Sequence, residues 1–92
     1  MAQIAYEPRF AGTNDWTTSV GNEEWIALAK AQVGVNYFKA RTLEFLNKQD
    51  CVINVNGTQD VLIPANYGRD LENVKSFEIK TADVEYICII GY

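Results

Sequence analysis

The sequence predicts an all-β fold, a small antiparallel β-sandwich or partly closed barrel with an extended N-terminal arm and room for one short helix. Three observations predict it. Short apolar runs separated by turn residues fill the stretch from Asn36 to Tyr92. Two of these runs, Cys51/Ile53/Val55 and Val84/Tyr86/Cys88/Ile90/Tyr92, alternate with period two, as one face of a strand does. Directly after the first lies Asn56-Gly57, whose residues both tolerate the positive φ of a type I′ hairpin turn. With 92 residues, 48% of them hydrophobic, the chain fits one domain with a modest core, so a partner's surface would add useful burial.

Residues 1–21 read as an extended arm and residues 22–92 as a single β domain. The arm is mostly small and polar, with no period sustained over its length. Tyr6, Phe10 and Trp16 are large apolar anchors within it, set to pack either on the arm's own domain or on a neighbouring subunit. Asn22 followed by Glu23 and Glu24 has the look of a helix cap with an acidic first turn. Trp25, Leu28, Ala29 and Gln32 would then share a face, and Gly34 would end the helix. The same segment also alternates as a strand through Trp25, Ala27, Ala29, Ala31, Val33 and Val35, so helix and strand both stay open.

From Asn36 the signals are β. Phe38 and Ala40 alternate with Lys39 and Arg41, then Leu43 and Phe45 alternate with Thr42 and Glu44, so the apolar parity flips and a bulge or bend is expected near Thr42. Asn47 to Asp50 supplies a turn before the Cys51 strand. After the hairpin, Val61, Leu62 and Ile63 return and Pro64 stops them by removing a ladder donor. Ala65 to Asn73 reads as a loop, Val74 to Lys80 as a strand with Phe77 and Ile79 inward, Ala82-Asp83 as a turn, and Val84 to Tyr92 as its partner strand. In that last strand Ile87 and Ile89 make the second face apolar too. It must therefore lie between two covered layers or take part in a contact with another chain.

Composition narrows the function. Eight basic side chains, scattered one at a time against twelve carboxylates, leave a net charge of −4 and no stripe for a phosphate backbone, so nucleic acid is not an expected partner. No apolar run approaches a membrane span, and MAQIAYEPRF has neither the basic start nor the apolar stretch of a signal peptide, which points to synthesis in a cytoplasm. The absence of histidine removes the usual general base and the commonest metal ligand. Ser19 and Ser76 lie outside any nucleophile elbow, and the pairs Glu23/Glu24, Asp70/Glu72 and Asp83/Glu85 read as solvated carboxylates rather than a cation loop. Cys51 and Cys88 read as buried inert thiols, with a bridge between them as the alternative. No catalytic residue, metal site or cofactor is expected. Tyr67, in a loop beside Asn66, Arg69 and Asp70, is the best candidate for a displayed binding residue, with Arg69 beside it.

The run Cys51-Val52-Ile53-Asn54-Val55-Asn56-Gly57, then Leu62-Ile63-Pro64-Ala65 and Gly68, then Val74 to Ile79 and the closing Glu85-Tyr86 with Gly91-Tyr92, resembles small structural proteins of tailed bacteriophages. The resemblance spans residues 36–92 and rests on hairpin and strand grammar; the Trp-containing arm lies outside it. It implies a virion component such as a head decoration, a neck or tail attachment, or the base of a fibre. Its partners would be other virion proteins and further copies of itself. The interface expected from the residues is Tyr6, Phe10, Trp16, Ile87, Ile89 and Tyr92. A carbohydrate-recognition module on a phage tip or bacterial surface protein, reading glycans with Tyr67, is the alternative.

Overall fold

A computed structural model describes residues 9–92; Tyr6 lies outside them. Two antiparallel sheets face each other in a small all-β sandwich with one short helix. The elements are β1 (Phe10–Gly12), β2 (Thr17–Val20), β3 (Glu23–Glu24), α1 (Trp25–Val33), β4 (Ala40–Asn47), β5 (Cys51–Val55), β6 (Asp60–Ile63), β7 (Arg69–Val74), β8 (Phe77–Ile79) and β9 (Ala82–Gly91). The first sheet runs β1-β9-β4-β7, with β2 also on β9, and the second runs β3-β8-β5-β6. Phe45 and Tyr86 from the first sheet meet Phe77 from the second and Trp25 from the helix. Their ring centroids are 5.3 Å apart for Phe45–Phe77, 6.0 Å for Phe45–Tyr86 and 6.3 Å for Trp25–Tyr86. Leu43, Ile53, Ile79, Val84 and Ile90 complete the buried core around them.

The arm does not stay apart from the body. From Phe10 onward it is an interrupted edge strand: β1 pairs with Ile89–Gly91, and β2 pairs with the other end of β9. At the break, the Thr13 amide donates to the Cys88 carbonyl (2.9 Å) and the Thr13 hydroxyl accepts from the Cys88 amide (3.1 Å), so the central strand keeps its bonds. Gly12 is required there. Its φ is +127° and a Cβ would sit 2.0 Å from the Cys88 carbonyl oxygen.

The ambiguous segment is helical, but its cap is Glu24 and not Asn22. The Glu24 carboxylate accepts from the amides of Ile26 (2.7 Å) and Ala27 (3.1 Å), while Asn22, at φ 54°, makes a left-handed turn before β3. Trp25 and Ala29 face the core; Leu28 does not, and Gly34 ends the helix in the left-handed region with its amide on the Lys30 carbonyl.

Two expectations about the second half are corrected. The stretch read as a loop contains β7, which edges the first sheet beside β4. The expected pairing of Val74–Lys80 with Val84–Tyr92 does not form, because β8 joins the second sheet and β9 the first. Ala82-Asp83 is consequently no turn. It lies inside β9, where Asp83 at φ 62° stands opposite a register shift in β2 between Thr18 and Val20.

The parity flip is real and falls at Arg41. Ala40 pairs with Val74 and Thr42 with Glu72, so no residue is inserted, and Asn73 opposite Arg41 adopts φ 54°. Both strands show two consecutive exposed residues at this point. The Asn56-Gly57 turn has the expected positive φ at both residues (55° and 64°). Asn56 does more than turn the chain. Its Oδ1 accepts from the amides of Lys75 (2.6 Å) and Ser76 (3.0 Å), pinning the crossing from β7 to β8.

Candidate interaction surface

The centre strand β9 pairs with β4 so that Leu46 lies opposite Ile87 and Glu44 opposite Ile89. In a pleated strand these residues face away from the core that Tyr86, Cys88 and Ile90 fill. Ile87 is half-buried, while Leu46 and Ile89 are 44% and 36% exposed. Phe10, opposite Gly91, extends the same face and is 69% exposed. At the other end stands Tyr67, 65% exposed, which lines a shallow cleft with Leu46, Ile87 and Ile89. Glu44, Arg69 and Asp70 line the same cleft. The outcome is one apolar stripe with a charged border, running Phe10, Ile89, Ile87, Leu46, Tyr67 across the outer face of the first sheet.

Tyr67 is held out by a residue beneath it. The Asn47 amide is fully buried, and its Nδ2 donates toward the carbonyls of Gln49 (2.9 Å), Ile63 (3.1 Å) and Pro64 (2.9 Å). Its Oδ1 accepts from the Gly68 amide at 3.1 Å, and its main-chain carbonyl accepts from the Asn66 amide at 2.7 Å. Asn47 therefore fixes both ends of the Pro64–Gly68 turn on which Tyr67 is displayed. A second cleft, of about 450 Å³, opens on the other side of Tyr67 and Arg69 between β6 and β7, lined by Ile53, Val55, Val61, Ile63 and Leu71.

Of the residues singled out in the sequence, the structure brings Phe10, Ile87, Ile89, Tyr67 and Arg69 onto or beside one surface. It does not bring Trp16 or Tyr92 there. Trp16 packs on its own domain, with the Lys48 ammonium 4.3 Å from the ring centroid and Lys48 in turn 3.7 Å from the Glu85 carboxylate. Tyr92 lies at the strand end against Phe38, ring centroids 4.9 Å apart. Leu46 and Asn47 were not singled out. The first has a sequence signal, since it directly follows Phe45 and breaks the alternation; the second has none beyond its place at the head of a turn.

Several groups that could carry chemistry are engaged in hydrogen bonds or burial within the fold. Glu23, expected in solvent with Glu24, accepts the Tyr86 hydroxyl at 2.8 Å and the Val20 amide, and Glu24 also accepts the Phe77 amide at 3.0 Å. Burial, followed by the hydrogen bond to Glu23, pushes the Tyr86 phenol far above its ordinary value. Cys51 and Cys88 are buried free thiols; burial raises both, Cys88 to about 12. Among the described residues no cluster of His, Cys, Asp and Glu could hold a metal ion, and no helix is long and apolar enough to cross a membrane. The fold and surface define a small two-sheet β-sandwich with an apolar stripe that the described residues leave uncovered. No protein-family model, curated protein or solved structure matches the chain.

Proposed function

We propose that this domain is a non-catalytic structural module that binds other protein subunits through the outer face of its first sheet and also associates with further copies of itself. The observation that carries the reading is the stripe from Phe10 to Tyr67. It crosses the outer face of a sheet whose inner face already packs into the buried core, so burying it serves something other than that core. The resemblance of residues 36–92 to small proteins of tailed phages supports placing the module in a virion, as a head decoration or a neck, tail or fibre attachment. Replacing Ile87 and Ile89 together by Ser is expected to abolish docking on those other subunits and leave far-UV circular dichroism unchanged. Loss of the fold itself would count against the reading. Counting copies of the chain against the major capsid protein in purified particles tests the virion assignment: a comparable count means decoration, a small symmetric number means neck, tail or fibre, and absence rejects it.

One observation favours a second reading. Tyr67 is displayed with Arg69 at the junction of two clefts, the arrangement a ring-stacking sugar site would use. Glycan binding lost in Tyr67→Ala would support a carbohydrate module, and a flat response across a glycan panel would reject it.

A further inference from the structure

The two open sides of the sandwich are finished differently. On one side α1 packs against β1 and β8, and Gln32 stands in for a neighbouring strand. Its Oε1 accepts from the Gly12 amide at 2.9 Å and its Nε2 donates to the Gly12 carbonyl at 3.0 Å. On the other side the rims are β6 and β7. Among the described residues β6 pairs only with β5, and β7 only with β4. The apolar cleft lies between these two rims. Val61 pairs with the buried Ile53 and so points toward the core side, yet it remains 49% exposed, with Leu62 at 56%. An inward-facing valine half in water is what a sheet lacking its next strand leaves behind.

The chain contains a segment of matching chemistry. Ala2, Ile4 and Tyr6 alternate with Gln3, Ala5 and Glu7, the pattern of a strand with one apolar side. Glu7 is its one charged side chain, and Arg69 lines the cleft. We propose that the cleft between β6 and β7 receives Ala2–Glu7 of a second copy of this chain as an added strand, with Ile4 and Tyr6 placed against Val61, Ile63 and Leu71. The inference rests on the reading of the domain as a module that binds copies of itself, and it names the receiving site.

Reach decides that the donor is another copy. The Arg9 amide and carbonyl are bonded to Tyr92, which fixes residue 9 beside β9 at the β1 edge. From β1 to β7 the sheet has three strand intervals, roughly 14 Å at the usual spacing. Pro8 alone separates Glu7 from Arg9, and two Cα steps span less than about 8 Å. A chain therefore cannot lay residues 2–7 in its own cleft.

The test uses two full-length variants, Ile4→Asp in the donor segment and Val61→Asp in the cleft, the latter at a half-exposed position outside the buried core. By sedimentation velocity the unsubstituted chain is expected to self-associate, and each variant alone to do so at least tenfold more weakly, with unchanged circular dichroism. Mixed, they are expected to form a 1:1 complex, because the Ile4→Asp chain keeps an intact cleft and the Val61→Asp chain an intact donor. A monomeric parent chain, full assembly of either variant, or a mixture that stays monomeric would overturn the proposal. Ile87→Ser with Ile89→Ser, introduced into both variants, is expected to leave the mixed complex in place. Its loss there would assign self-association to the outer face and overturn strand exchange.

Discussion

The indole Nε1 of Trp25 donates a 2.8 Å hydrogen bond to the phenolic oxygen of Tyr86, across the junction of helix and sheet. Tyr86 in turn donates its hydroxyl hydrogen bond to the Glu23 carboxylate, so the helix, the centre strand and β3 share one hydrogen-bonded relay. Tyr86→Phe keeps the ring but strands the Trp25 N–H in the core. The expected cost is about 1–3 kcal/mol, read as a Tm lower by roughly 5–15 °C for a domain of this size. A Tm within about 2 °C of the parent would mean the relay contributes nothing net.

Alkaline pH should destabilise the domain earlier than surface groups alone would. The Cys88 thiol, ordinarily near 9.0, is raised by burial to about 12, so the folded state holds its proton more tightly than the unfolded chain. The resulting stability is complete below pH 9.0 and is lost as pH climbs toward 12. One proton corresponds to a slope of about 1.4 kcal/mol per pH unit. Tyr86 and Cys51 are raised as well and add in the same direction. Urea titrations across this range should show a shallower loss in Cys88→Ala than in the parent; coincident slopes would remove Cys88 from the account.

Asn47→Ala deletes the side-chain bonds that hold both ends of the Pro64–Gly68 turn. Leaving those main-chain groups without their partner is expected to cost on the order of 3 kcal/mol. The second readout is local. Amide exchange at Asn66, Tyr67 and Gly68 should accelerate more than exchange in β9, and uniform acceleration would mean the turn is held by other contacts.

Asn56 separates turn geometry from tethering. Asn56→Gly keeps the left-handed backbone but loses the acceptor for Lys75 and Ser76, and is expected to cost about 1–2 kcal/mol. Asn56→Asp retains both roles and should stay within about 0.5 kcal/mol of the parent. Equal stability of the two variants in urea denaturation would reduce Asn56 to a turn residue.

Legibility in the sequence followed the range of the interactions. The Asn56-Gly57 turn, the Pro64 stop and the Gly34 helix end are decided by residues next to one another, and all three could be read directly. The helix itself could not, because Glu24 caps it while also pairing in β3 with β8, far along the chain. The strands β1 and β2 were hidden for the same reason, their partner being β9 at the other end of the sequence. Edge strand β7 was invisible on other grounds: of Arg69 to Val74 only Leu71 and Val74 are apolar, and the distortion at Asn73 puts them out of phase. For the surface, the doubled apolar faces of β9 pointed to Ile87 and Ile89, and the loop chemistry to Tyr67. The stacking of Lys48 over the Trp16 ring needed three dimensions.

The paired distortion at Arg41 and Asn73 constrains how this chain can change in length. Both strands swap sides at the same rung, so each remains in step with the other although neither is regular. A deletion of one residue on one strand would turn every later side chain of that strand over relative to its neighbour, sending Leu43 and Phe45 into water or Val74 out of the core. A second deletion directly across the ribbon would bring the strands back into step. Gaps and insertions in this ribbon should thus be tolerated as opposed pairs and rejected singly, which gives the sheet a grammar of length as well as one of side chains.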